Sequence, residues 1–97
     1  MADSDPMAAA ILRLLSRHPE VLTPIAAGIL VAAYAEYAHD SRSFSRKLGV
    51  AHALVIRECS TLAHDLGLVR LEDRKERSQR VFYALTDRGR DMVEEAS

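Results

Sequence analysis

The stretch LGLVRLEDRKERSQRVFYALTDRG, residues 66–89, decides the fold. Gly67 can take the left-handed conformation that closes a helix. Two runs with alternating apolar residues follow, 68–72 and 80–85, in which Val69 and Leu71, then Val81, Tyr83 and Leu85, fall on one side by the period of two. Between them lies a charged turn of Asp73, Arg74, Lys75, Glu76, Arg77, Ser78 and Gln79, with Arg80 at its base. Thr86 then caps a further helix with Gly89 in its first turn. The pattern predicts a β-hairpin with a basic tip, set between two helices.

Upstream, the chain reads as four helices. Asp5 before Pro6 starts the first, because the carboxylate can cap free amides and proline has no amide to lose there. It runs to about Arg17, with Met7, Ile11, Leu14 and Leu15 on one stripe and Pro19 as the stop. Thr23 and Pro24 repeat the start signal. Residues 25–38, apolar nearly all round with Gly28 and many alanines, predict a central core helix whose end Tyr34 and Tyr37 cover.

Asp40 or Ser41 caps a short third helix carrying Phe44 and Leu48, and Gly49 ends it. A helix of about 15 residues begins near Ala51, so the pair reads helix, tight turn, helix. At about 100° per residue, Val55, Cys59, Leu62 and Leu66 form its buried stripe. Ala53, Arg57, Ser60 and His64 stand opposite, with Thr61 slightly off centre.

A length of 97 residues with 48% apolar content suits one domain with a modest core and excludes a multidomain enzyme. Within it the expected parts are an N-terminal helix in 1–18, a helix-turn-helix in 41–66, a hairpin in 68–85 and a C-terminal helix in 87–96. The chain opens on Asp3 and Asp5 instead of a basic segment. Its longest apolar stretch, 21–35, is 15 residues and contains Thr23 and Pro24, short of the roughly 20 that a membrane span needs. The expectation is a cytoplasmic protein without membrane contact.

Cys59 is the one cysteine, so no internal disulfide or thiolate cage is expected, and its place beside Val55 and Leu62 makes it a buried structural thiol. His64 points about 140° away from Cys59, which argues against one metal shared between them. No phosphate loop, zinc-protease helix, nucleophile elbow or paired-carboxylate signature is present, so neither catalytic residues, metal nor cofactor is expected.

The net charge of −1 hides a division along the chain. From 41 to 80 there are nine basic residues (Arg42, Arg46, Lys47, Arg57, Arg70, Arg74, Lys75, Arg77, Arg80) and five acidic (Glu58, Asp65, Glu72, Asp73, Glu76), giving +4. The remainder has four basic and nine acidic, giving −5. Such segregation suits a molecule with one face turned to phosphates.

At these residues the sequence resembles the winged helix-turn-helix transcription regulators of the MarR and PadR type. Phe44, Ser45, Arg46, Lys47, Leu48, Gly49 and Val50 look like that family's first helix-turn-helix segment and its turn. Leu66, Gly67, Leu68 and Val69 resemble its entry into the wing, and the run Arg80 to Thr86 with Gly89 resembles the second wing strand and the Leu-Thr-x-x-Gly step after it. The fold implied is mainly α with a small β-hairpin, in the order α-α-α-α-β-β-α. Three departures stand out. Ala51, His52 and Ala53 replace a Ser/Thr-rich start of the recognition helix, the 62–67 segment is one residue longer than in many members, and only 7–17 and 87–96 stand where longer terminal helices serve dimerisation.

The resemblance implies a recognition helix in the major groove of double-stranded DNA, contacting it through His52, Ala53, Arg57, Ser60, Thr61 and His64. Arg57 is the leading candidate, since its guanidinium can pair bidentately with guanine. Arg74, Lys75, Arg77 and Arg80 would serve the wing, in the minor groove or on phosphates, while Arg42, Arg46 and Lys47 would grip the DNA backbone. The function implied is a homodimeric repressor on an inverted repeat, joined through the stripe Met7, Ile11 and Leu14, with the last helix as a second contact. The rival reading is a winged helix docking on another regulator, a polymerase subunit or a repair complex, which the near-neutral charge and the Ala51, His52, Ala53 start keep open. No effector ligand is legible.

Overall fold

A computed structural model describes residues 5–75 and 79–96, with 73–75 described in their backbone alone. Helix α1 (Pro6–Arg17) begins where Asp5 accepts a hydrogen bond from Met7 N at 3.0 Å. Helix α2 (Pro24–Tyr34) begins in the same way, with Thr23 Oγ1 accepting from Ala26 N at 3.0 Å. Residues 26–33 of α2 are all buried, as expected of a central helix. It stops four residues before the expected 38. The chain turns instead at Glu36, which has a φ of 60°, and Tyr37 N and Ala38 N both return to the carbonyl of Ala32.

That early turn brings 39–40 beside the hairpin. Tyr83 N donates to His39 O at 3.1 Å, and Asp40 bridges to Phe82, a short third strand position that the sequence did not reveal. Asp40 then caps α3 (Ser41–Leu48), accepting from Ser43 N at 2.8 Å and from Ser43 Oγ at 2.9 Å. Gly49 closes α3 in the left-handed conformation, φ 67°.

Helix α4 (His52–Ser60) runs on into a π-helical turn, Thr61–Asp65, in which Leu66 N reaches Thr61 O five residues back. A π turn holds more residues than an α turn, so it accommodates the additional residue read in 62–67. Val55, Cys59 and Leu62 are buried as expected, whereas Leu66, beyond the π turn, is only half-buried.

Strands β1 (Val69–Lys75) and β2 (Arg80–Leu85) pair antiparallel, Val69 opposite Leu85 and Leu71 opposite Tyr83, with a break in register between Leu71 and Arg74. β1 is longer than the expected run to 72. Helix α5 (Asp87–Glu95) is capped by Thr86, whose Oγ1 accepts from Gly89 N and donates to Gly67 O at 2.7 Å. A Cβ on Gly89 would stand 2.0 Å from the carbonyl oxygen of Leu68, so the start of α5 can sit on the hairpin entry only with glycine there.

The core joins Leu14 from α1, Ile29 and Leu30 from α2, Phe44, Val55, Leu62, Leu68 and Tyr83. This corrects one expectation: Leu14 is fully buried within its own fold, and Met7 and Ile11 pack half-buried against the same cluster. Of the stripe, Leu14 is therefore core, while Met7 and Ile11 are half-buried and line an open cleft beside it. The exposed large apolar residue of α1 is Leu12, about 200° of helix away from Leu14 and 65% exposed.

Candidate nucleic-acid interface

The α3-turn-α4 unit is positioned from two sides. Phe44, 1% exposed, anchors α3 in the core, and Val55 and Cys59 anchor α4. Ser45 Oγ donates to Val50 O across the turn. At the start of α4 no side chain caps the free amides, since Ala51 occupies the cap position. His52 is fixed by another route: its Nε2 lies 2.8 Å from Ser41 Oγ, which also accepts a hydrogen bond from Val81 N at 2.9 Å. A neutral His52 ring can take part in this bond as donor or as acceptor, according to its tautomer. Burial and then the Arg42 charge hold the His52 pKa below its ordinary value, which favours this neutral ring.

Ala51, Ala53, Leu54 and Arg57 form the exposed surface of the first turns of α4, and Ser60 and His64 continue it. Thr61 is half-buried. Beyond Ser60 the π turn breaks the regular count of 100° per residue on which the placement of His64 relied. Ser60 and His64 line an open cleft of about 240 Å³ between the helix and the hairpin, with Ile56, Leu71, Glu72 and Val81. Of the expected contact residues, Ala53 and Arg57 share one patch, Ser60 and His64 share the cleft, and His52 is engaged with Ser41.

The basic residues differ in their surroundings. Arg42 and Arg46 are exposed on α3. Lys47 donates to Tyr37 O at 2.8 Å, and its ammonium sits 4.5 Å from the centre of the Tyr37 ring. Arg80 is partly buried, its Nε 3.5 Å from Asp40 Oδ1, and so braces the α3 cap at the foot of the hairpin. Arg70 meets Glu72 at 3.4 Å. Arg74 and Lys75 belong to β1 by their backbone, but their side chains and Arg77 lie outside the described residues.

Two residues of this unit stand outside the sequence expectations. Leu54, 40% exposed, carries no polar group to mark it, although its i, i+3 spacing from Arg57 makes them neighbours. Ser41 was seen as a possible cap, while its bonds to His52 and Val81 span positions that no local pattern joins. Among the described residues no group of three His, Cys, Asp or Glu could hold a metal, and no helix is long and apolar enough to cross a membrane.

No family model matches the sequence, and no curated protein matches it either. A solved structure does resemble it: a transcriptional regulator of the MarR family from Rhodococcus sp. RHA1, with a TM-score of 0.65 and 22% identity. The similarity covers 94% of this chain and 62% of that one. The chain thus spans less than two thirds of that regulator's length. At this identity the likeness establishes the fold, a winged helix-turn-helix.

Proposed function

We propose that this domain binds double-stranded DNA and regulates transcription, acting as a homodimeric repressor on an inverted repeat. The observation that carries the reading is α4, the second helix of a helix-turn-helix, with Arg57 exposed on its outer face. Arg42 and Arg46, exposed on α3, supply positive charge on the preceding element. In this reading α4 enters the major groove, Arg57 meets a base edge, and α3 and the wing hold phosphates. The MarR-family neighbour supports the same reading.

Self-association is supported by Leu12, exposed on α1, and by open clefts of about 320 and 400 Å³ that both include Met7. Leu12→Glu should shift a dimer toward monomer without touching the core.

Selection of bound duplexes from a random pool, followed by a salt titration on the winner, tests the proposal. A palindromic product is expected, with log affinity falling linearly against log salt at about 0.9 per phosphate neutralised. Recovery of no preferred duplex, together with a flat salt response, would return the domain to a protein-docking role.

A further inference from the structure

The geometry points to α4 reading a thymine C5-methyl group through Leu54, beside the base pair met by Arg57. This rests on the DNA-binding reading above and specifies what that helix recognises.

From 51 to 57 the exposed residues of α4 are Ala51, Ala53, Leu54 and Arg57. Val55 is buried, while His52 and Ile56 are half-buried. Of the two ring nitrogens of His52, Nε2 is turned to Ser41 Oγ. Arg57 is therefore the one exposed side chain in this span that can hydrogen-bond to a base, and the rest of the outer surface is methyl and isobutyl. Leu54 is three residues before Arg57 and Ala53 four before it, so all three are neighbours on the helix surface.

A surface of this kind discriminates bases by apolar contact. In the major groove the thymine C5-methyl is the apolar group that a base pair presents, the other features being donors and acceptors. Leu54 and Arg57 are separated by about 4.5 Å along the helix axis, close to a base step of about 3.4 Å. The methyl should then lie within one or two base pairs of the guanine. The positive charge here, Arg57 on α4 and Arg42, whose charge acts on His52 at the start of that helix, suits a polyanion better than an apolar protein groove.

The test uses the duplex recovered by selection, with each thymine replaced singly by deoxyuridine. That change removes the methyl and leaves pairing and every polar group in place. At one thymine per half-site, wild-type affinity should fall about three- to fivefold, the effect expected for one buried methyl. Leu54→Ala should bind the thymine duplex more weakly by a similar factor and lose the thymine-uracil difference, whereas Arg57→Ala should keep it. Leu54 is 40% exposed, so the substitution leaves the core intact, which circular dichroism would verify. Equal affinity for every thymine-uracil pair overturns the inference while leaving DNA binding standing, as does a difference that survives in Leu54→Ala. If no duplex shows salt-dependent binding, the DNA reading and this inference fall together.

Discussion

Ser41 Oγ stands 2.8 Å from His52 Nε2 and takes the Val81 amide at 2.9 Å, so one buried hydroxyl ties the starts of α3 and α4 to the second wing strand. Helix α4 lacks a side-chain cap, and this bond is what fixes the direction of its first residue. Ser41→Ala should leave the Val81 amide without its partner in a position that is fully buried. The expected cost is about 1–3 kcal/mol, the usual penalty for a buried group deprived of its hydrogen bond. Urea unfolding would read it as a lowered midpoint with an unchanged slope.

The same contact predicts a pH dependence. His52 has its pKa lowered from 6.5, first by burial, then by Arg42 and Arg80 against an opposing pull from Asp40. The unfolded chain therefore takes up the proton more readily than the folded one. Stability from this group is fully present above pH 6.5 and is lost as the pH falls below it. Unfolding midpoints measured from about pH 7.5 to 5 should fall for the wild type and fall less steeply for His52→Gln. Parallel curves for the two proteins would remove His52 as the cause.

Gly89 offers a sharper test of the fold. Because a Cβ there would meet the Leu68 carbonyl oxygen at 2.0 Å, and that oxygen is backbone, either α5 or the hairpin entry must move. Gly89→Ala should cost at least about 1–3 kcal/mol, in the range of overpacked sites. Ordinary helix propensity argues the other way, since alanine favours a helix over glycine by about 1 kcal/mol. A stabilised variant would therefore show that α5 does not rest on Leu68.

Most of the fold was legible because its boundaries carry local chemistry: Asp5, Thr23, Asp40 and Thr86 cap helices, and Gly49 and Gly67 end them in the left-handed conformation. The end of α2 was missed because Glu36 adopts a positive φ that its residue type does not announce. Burial of Leu14 was missed because a stripe at helical spacing cannot say whether its partner is the same chain or another. At the candidate site, Arg57 and Ala53 followed from the helical period, whereas the engagement of Arg80 with Asp40 and of Lys47 with Tyr37 came from contacts distant in sequence.

Cys59 should be inert in the native state. It is 1% exposed, and burial pushes its thiol pKa up to about 12, so almost no thiolate exists near neutral pH. Alkylation by iodoacetamide should proceed only as fast as the protein unfolds and should accelerate in urea along the unfolding curve. Cys59→Ser should cost about 1–3 kcal/mol through a buried hydroxyl. Rapid labelling of the folded protein would overturn the buried assignment.

The basic residues of the proposed interface should separate into distinct behaviours in DNA binding. Arg57→Ala should weaken the preferred duplex by about 1–3 kcal/mol and relax selectivity mainly at one base pair per half-site. Arg46→Ala, on the exposed face of α3, should weaken all sequences alike and flatten the log-log salt slope by about 0.9 for each phosphate it no longer neutralises. Lys47→Ala should change that slope less, because its ammonium is already held by the Tyr37 carbonyl at 2.8 Å and by the Tyr37 ring. Salt titrations of the three variants on preferred and scrambled duplexes would distinguish these outcomes. A uniform loss on both duplexes for Arg57→Ala would make Arg57 a phosphate clamp and move base reading elsewhere on α4.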